Sequence, residues 1–185
     1  MNKRVLVIQS ENCTGCHLCE LACSSAKEGE FKPSQSRIQV ITSGLEGWSR
    51  PIVCLQCDDP MCVAVCSVGA ICKTITPQGD PVISVNKDKC ISCHKCIVAC
   101  PFGAIEHFKE SKATKCDLCG GSPVCVDFCF YDCLKFIELS DEVYQKRSIK
   151  IKALITKTCR EISKHEPHRR RVMFSLALSK VIDFI

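Results

Sequence analysis

Sixteen cysteines in four short groups constrain this chain more than any other feature. The groups are Cys13-x2-Cys16-x2-Cys19-x3-Cys23, Cys54-x2-Cys57-x4-Cys62-x3-Cys66, Cys90-x2-Cys93-x2-Cys96-x3-Cys100 and Cys116-x2-Cys119-x5-Cys125-x3-Cys129. Three cysteines in a short loop can wrap one polynuclear metal centre, with the intervening N–H groups turned inward. The fourth, three residues on, is expected to open a helix pointing away and so to reach only a second centre. Such runs come in pairs that exchange their last cysteine, and an even number is present. Structural zinc also uses C-x2-C pairs, but a four-thiolate zinc site has no use for a third cysteine two residues further on. Disulfides are the common reading of a short, cysteine-rich secreted chain, and they fit poorly with spacings this regular and tight.

The third group is followed by Pro101 and reproduces the bacterial ferredoxin run C-x2-C-x2-C-x3-C-P; the first group matches it apart from the proline. The expected cofactors are four [4Fe–4S] clusters. The chain opens Met1-Asn2-Lys3-Arg4 and runs straight into Val5-Leu-Val-Ile8, too short an apolar run for a signal peptide and suited to a strand. No stretch reaches the length of a membrane span. The expected location is cytoplasmic.

Charge decides what kind of partner to expect. The formal net charge is +5, yet residues 1–140 carry 14 Lys+Arg against 15 Asp+Glu, and residues 141–185 carry 11 against 5. Each oxidised cluster with four thiolates contributes about −2, which brings the loaded protein to about −3 and residues 1–140 to about −9. An acidic cluster region followed by a basic tail argues against nucleic acid as a partner. Nothing points to substrate chemistry either: there is no Ser/His/Asp arrangement, no phosphate-cradling glycine loop and no G-x-G-x-x-G.

An internal repeat is visible. Cys66-Ser-Val-Gly-Ala-Ile71 aligns with Cys100-Pro-Phe-Gly-Ala-Ile105 and, loosely, with Cys129-Phe-Tyr-Asp-Cys-Leu134. Gly69 and Gly103 are expected to end the helix begun at the fourth cysteine. Strands are predicted at Ile71–Thr76, Ala104–Phe108 and Leu134–Leu139, with partners at Arg4–Ile8, Arg37–Thr42 and Pro81–Val85. The predicted fold class is α+β: a duplicated bacterial-ferredoxin-like fold of two halves over residues 1–140, with a helical C-terminal tail over 141–185. The apolar core is thin, so the clusters are expected to staple it.

The repeat places Cys133 where Ala70 and Ala104 stand, a small residue behind a cluster. Cys72 falls where Glu106 stands, one step into a strand; both read as small, partly buried thiols. Cys159 has no tetrad around it. His17 and His94 occupy equivalent slots after the second cysteine of their runs; they are expected at the surface, with a hydrogen bond to cluster sulfur as the alternative. His107, His165 and His168 show no ligand pattern. Trp48 reads as a packing residue, with cluster shielding or partner contact as its other roles.

Over about residues 3–140 the sequence resembles the four-cluster ferredoxin-like subunits of multi-subunit oxidoreductases, such as the iron–sulfur subunits of dimethyl sulfoxide reductase and formate dehydrogenase. A narrower likeness is to the small subunits of tungsten-containing aldehyde oxidoreductases and benzoyl-CoA reductases. It rests on Cys19-Glu-Leu-Ala-Cys23, Phe31-x-Pro33-x2-Ser36-Arg37-Ile38-x-Val40, and Lys115-Cys-Asp-Leu-Cys119 with Cys125-Val-x-Phe-Cys129. The resemblance implies that run one pairs with run four and run two with run three. Cluster 1 would take Cys13, Cys16, Cys19 and Cys129, and cluster 2 would take Cys54, Cys57, Cys62 and Cys100. Cluster 3 would take Cys90, Cys93, Cys96 and Cys66, and cluster 4 would take Cys116, Cys119, Cys125 and Cys23. Ser24, Ser67 and Phe130 stand where proline often follows the fourth cysteine. The implied role is non-catalytic: single electrons pass between a catalytic partner and another redox protein. A tungsten or molybdenum enzyme is the favoured partner, with hydrogenase or formate dehydrogenase as runners-up and a free-standing polyferredoxin as the rival.

In the tail, Ile151, Leu154, Ile155, Thr158 and Ile162 fall at helical spacing with basic residues opposite. Pro167 breaks the run, and Arg169-Arg170-Arg171 precedes an apolar stretch, Val172–Ile185, too short and too charged to span a bilayer. Three roles remain open for the tail: docking on a partner subunit or a second copy, lying on an anionic membrane surface, or folding back on its own cluster region.

Overall fold

The computed structural model describes residues 3–108 and 112–162, with 158–162 described by backbone alone. The chain runs β1 (Lys3–Ile8), α1 (Leu18–Glu28), β2 (Gln39–Ser43), β3 (Trp48–Ile52), α2 (Met61–Ala64), β4 (Ile71–Ile75), β5 (Pro81–Val85), α3 (Lys95–Ala99), β6 (Ile105–His107), β7 (Ala113–Lys115), α4 (Val124–Asp127), β8 (Leu134–Leu139) and α5 (Asp141–Ile162). The strands form four separate two-stranded antiparallel ribbons, β1–β8, β2–β3, β4–β5 and β6–β7.

The β1–β8 ribbon joins the two ends of the cysteine-bearing chain, with Val5 opposite Ile137 and Ile8 opposite Leu134. The run Val5–Ile8 is continuously apolar because both faces of this strand are covered. Leu6 and Ile8 face the main core, while Val5 and Val7 pack with Leu139 and Tyr144 of α5. Arg4 ties this ribbon to the β4–β5 turn: its backbone N–H and Nε both donate to Asp80 Oδ1 at 3.2 Å, and Thr76 Oγ1 donates to Asp80 Oδ2.

Four of the six predicted strands pair with one another, β1 with β8 and β4 with β5. The others differ. Pairing after Arg37 starts only at Gln39, because the backbone before it is engaged elsewhere: Arg37 N–H donates to Cys23 Sγ and Ile38 N–H to Ser36 Oγ. Its partner is Trp48–Ile52, and the strand after Ala104 pairs with Ala113–Lys115. Neither partner stands out in the sequence: β7 is only three residues long, and β3 contains an arginine and a proline.

Helix placement also differs from expectation. Each of α2, α3 and α4 carries the third cysteine of its run and stops just before the fourth. Gly69 and Gly103, at φ 60° and 58°, therefore lie in the turns leading to β4 and β6 rather than at helix ends. Only α1 continues through its fourth cysteine, to Glu28, where Gly29 closes it at φ 72°.

Helix α5 begins in the tail, and its described part packs on the chain's own core. Ile151 and Leu154 are buried in the main apolar cluster beside Ile8, Leu55 and Cys54, and Ile155 packs against it. Tyr144 Oη donates to Asp58 Oδ1 at 2.8 Å, Arg147 Nη2 donates to Leu55 O at 3.0 Å, and Lys152 pairs with Asp59. Of the three roles open for the tail, folding back is the one these residues adopt. The side chains of Thr158, Cys159 and Ile162, and all of His165, Pro167, His168, Arg169–Arg171 and Val172–Ile185, lie outside the described residues.

This packing predicts a contrast along one helix. Leu154→Ala should lower the stability of the cluster-loaded protein by about 2–4 kcal/mol through loss of buried methyl groups and the cavity left behind. Ile149→Ala, at a position 66 % exposed, should change it by less than about 0.5 kcal/mol. Anaerobic chemical denaturation followed by circular dichroism measures both.

Candidate functional site

The loops that hold the cysteines are shaped by left-handed residues at matching places. In run one, Gly15 and His17 flank Cys16 at φ 71° and 59°; in run three, Ser92 and His94 flank Cys93, both at φ 57°. Gln56 in run two and Leu118 and Cys119 in run four adopt the same sign. Alternating left- and right-handed residues turn successive backbone N–H groups into one concavity, which favours an anionic guest. A Cβ on Gly15 would come within 2.6 Å of Ser49 Oγ on β3, so a side chain there must displace that hydroxyl.

The fourth cysteine of each run stands with the first three of another. Cys13, Cys16, Cys19 and Cys129 line one surface hollow (set 1), and Cys90, Cys93, Cys96 and Cys66 line another (set 3). Cys57 has Cys54, Cys62 and Cys100 as its thiol neighbours (set 2), and Cys125 has Cys116, Cys119 and Cys23 (set 4), with Cys19 of set 1 beside them. Among the described residues no three His, Cys, Asp or Glu side chains converge as closely as a single metal ion requires.

The sets are neighbours because one helical turn joins them. Helix α1 carries Cys19 of set 1 and Cys23 of set 4, and packs on α4, which carries Cys125 of set 4 and leads to Cys129 of set 1. Helix α2 carries Cys62 of set 2 and leads to Cys66 of set 3, and α3 carries Cys96 of set 3 and leads to Cys100 of set 2. Four residues of helix rise about 6 Å, so each C-x3-C links two adjacent sets. Cys54 acts electrostatically on Cys116, which brings set 2 beside set 4. The order through the molecule is 1, 4, 2, 3. Cys16 and Cys93 at its ends are exposed, and Cys116 and Cys54 in its middle are buried.

Burial and mutual negative charge push the thiols up, to about 12 for Cys19, Cys100 and Cys116 and about 11 for Cys62. Cys57 and Cys125 are pushed up further by the same causes. Thiols so placed become thiolates only with compensating positive charge, which bound iron supplies while protons leave. Backbone donors add to this. Cys23 accepts from Arg37 N–H at 3.3 Å, Cys66 from Ala70 at 3.2 Å, Cys116 from Leu118 at 3.4 Å and Cys129 from Leu134 at 3.3 Å. Arg37 Nη1 is buried with no hydrogen-bond partner among the described residues, although Nη2 donates to Glu28. All of this fits iron–sulfur clusters held by thiolates.

Some residues take roles that the sequence leaves unmarked. Cys133 is buried as expected, and it also hydrogen-bonds Cys13, which favours thiolate at Cys13 and thiol at Cys133. Cys72, expected to be partly buried, is exposed, its Sγ 3.9 Å from Ser84 Oγ, because it lies on the outer face of β4. His17 is exposed and its Nδ1 lies 2.8 Å from Glu20 Oε2, while His94 stacks on His107 at 4.5 Å between ring centroids. Trp48 is half-buried, with Arg50 over its ring at 4.8 Å. Two placements that the sequence leaves unmarked are that of Gln56, whose Nε2 donates to Cys116 O, and the burial of Lys115 between runs two and four.

Two family models match the chain, each described as a 4Fe-4S binding domain, over residues 10–26 and 83–106. The polyferredoxin-like subunit of aliphatic sulfonate oxidoreductase from Pyrococcus furiosus is 38% identical over 137 residues, covering 71% of this chain and 76% of that protein. The B subunit of anaerobic dimethyl sulfoxide reductase from Haemophilus influenzae is 34% identical over 152 residues, covering 71% and 72%. The chain belongs to the ferredoxin-like, non-catalytic electron-transfer subunits of oxidoreductase complexes. A solved structure, the active-site complex BamBC of benzoyl coenzyme A reductase with benzoyl-CoA, aligns with this iron–sulfur subunit at a TM-score of 0.46 and 22% identity, over 84% of this chain and 91% of that one.

The exchange of fourth cysteines makes a prediction that iron counting can check. Replacing Cys66 and Cys90 together by serine should remove about four irons per chain, because both belong to set 3. Replacing Cys54 and Cys90 together should remove about eight. Iron and sulfide analysis of anaerobically reconstituted variants reads the difference, and equal losses would sink the exchange.

Proposed function

We propose that this iron–sulfur subunit carries single electrons along four [4Fe–4S] clusters between a catalytic oxidoreductase subunit and a second redox partner. The observation that carries the reading is the grouping of sixteen cysteines into four sets of four, each drawn from two runs and joined to its neighbour through one turn of helix. The proposed ligands are Cys13, Cys16, Cys19 and Cys129; Cys54, Cys57, Cys62 and Cys100; Cys90, Cys93, Cys96 and Cys66; and Cys116, Cys119, Cys125 and Cys23. When bound, each cluster supplies a one-electron couple whose potential depends on burial, hydrogen bonds and net charge.

The chain's own part is to fix and insulate. C-x3-C turns set the spacing, backbone N–H groups bond the thiolates, and Ile38, Phe102 and Leu118 keep water from the middle sets. Exposed Cys16 and Cys93 leave the two end sets open to partners. The fold is read as two ferredoxin-like halves. One is built on α1 and α4 and the other on α2 and α3; both lie within residues 1–140, with 141–185 following as a basic tail.

Both named relatives are subunits of oxidoreductases acting on small organic sulfur compounds. This supports a catalytic oxidoreductase partner; that the partner is a tungsten or molybdenum enzyme is what the sequence resemblance implies. Among the described residues no helix is long and apolar enough to cross a membrane. A free-standing polyferredoxin is the second reading, favoured by the burial of Tyr144, Ile151 and Leu154 on the subunit's own core, where that stretch of helix needs no partner.

Anaerobic reconstitution should give a brown protein with about sixteen irons and sixteen sulfides per chain. In the native host it should co-purify with a tungsten or molybdenum subunit whose substrate reduces it. A colourless protein holding zinc without sulfide would end the reading. A fully loaded protein that elutes alone and exchanges electrons with several unrelated partners would favour the free-standing form.

A further inference from the structure

Lys115, at the end of β7, is 4 % exposed. Its Nζ donates to Ile83 O, to Cys116 O at 2.7 Å and to Gln56 Oε1 at 3.5 Å. All three acceptors are uncharged, and no carboxylate among the described residues pairs with it. A buried ammonium resting on neutral oxygens is strongly unfavourable unless negative charge lies near. The nearest such charge is on two different sets. Cys116 of set 4 is its chain neighbour, and Cys62 of set 2 also lies within its electrostatic reach.

The lysine is held in place from both sides. Gln56 sits in the run-two loop at φ 50°; its Nε2 donates to Cys116 O at 3.0 Å, and its Oε1 accepts from Ile83 N–H at 2.9 Å. That clamp joins the loop of set 2 to the first cysteine of set 4, with the Lys115 ammonium between them. Two other cations around these sets are matched by carboxylates, and a third stands at the loop of set 2. Lys27 pairs with Asp117 and Arg37 with Glu28, while Arg147, which donates to Leu55 O, acts on Cys57 and Cys54 of set 2.

We infer that Lys115 is the fixed counter-ion shared by the two interior iron–sulfur sites, and that it holds the reduction potentials of both above the values they would have without it. The inference rests on the assignment of sets 2 and 4 as cluster sites. Reduction adds one negative charge to a site, and an immobile cation in a poorly polarisable interior favours that step. Because it stands between two such sites, it also offsets their mutual repulsion when both are loaded. The end sites, at exposed Cys16 and Cys93, have solvent in that role. An electron entering from either end is thereby drawn to the middle of the path.

The test compares Lys115→Met with Lys115→Arg in the full chain, loaded anaerobically and titrated under electron paramagnetic resonance. Interior signals are identified by their alteration in Cys57→Ser and Cys119→Ser. In Lys115→Met the interior sites should become at least tenfold harder to reduce, a fall of about 59 mV, while the end sites hold their potentials. Lys115→Arg, which keeps the charge, should behave as wild type. Interior potentials unmoved in a fully loaded Lys115→Met protein overturn the proposal. If the methionine variant loses interior iron, retention of that iron in the arginine variant supports the need for charge, and its loss there too makes Lys115 a packing residue and overturns it. A wild-type chain that never holds iron at sets 2 and 4 instead fails the cluster assignment itself, before any variant is made.

Discussion

One turn of helix between the third and fourth cysteine of each run is the constraint on which the rest of the structure depends. The rise over four residues is about 6 Å, and the fourth thiol of each run stands with the first three of another run, which makes the two sets neighbours. Used four times, in α1 to α4, it gives sets 1 and 4 a shared pair of helices, and sets 2 and 3 another. The ribbons follow from it. After Cys66 and Cys100 the chain turns at once into β4 and β6, because the backbone that would prolong a helix is used by the thiolate instead, as in Ala70 N–H to Cys66.

The second consequence is electrical. Sixteen thiolates in so small a volume repel one another, and those in the middle, such as Cys116 and Cys125, are pushed far from ready ionisation. The protein answers at three ranges. Backbone N–H groups bond sulfur directly, left-handed residues aim further N–H groups into the loops, and cations stand behind them. Lys115 is the clearest member of the last group because its ammonium rests on three uncharged oxygens and no carboxylate among the described residues pairs with it. The neutral look of residues 1–140 in a bare residue count conceals this, since cluster charge is absent from the count.

What the sequence makes legible is what spacing and alternation encode. The grouping of cysteines, the strands β1, β4, β5 and β8, and the equivalence of Cys66-x3-Ala70 with Cys100-x3-Ala104 all read directly from the chain. The helices at the fourth cysteines do not, because C-x3-C looks the same whether a helix starts or ends there; only Ala70 N–H bonding Cys66 Sγ separates the two. β3 is hidden by Arg50 and Pro51, and β7 by its three-residue length. Lys115 stands in plain view beside the first cysteine of run four, yet its burial depends on Gln56 and Ile83, which are distant in sequence. A lysine next to a cysteine carries no mark of being buried.

The described part of the tail changes what its removal can reveal. A chain cut after residue 140 loses not only an appendage but also Tyr144 over β1, Ile151 and Leu154 in the main core, and Arg147 at the loop of set 2. Its failure to join a partner would then report damage to a cluster site as readily as loss of a docking element. Cutting after residue 157 leaves every one of these contacts in place and removes the triple arginine and the apolar segment beyond it. That cut alone removes the residues beyond 157 while keeping the helix that packs on the core, so comparing the two truncations separates loss of this packing from loss of whatever the remaining tail contributes.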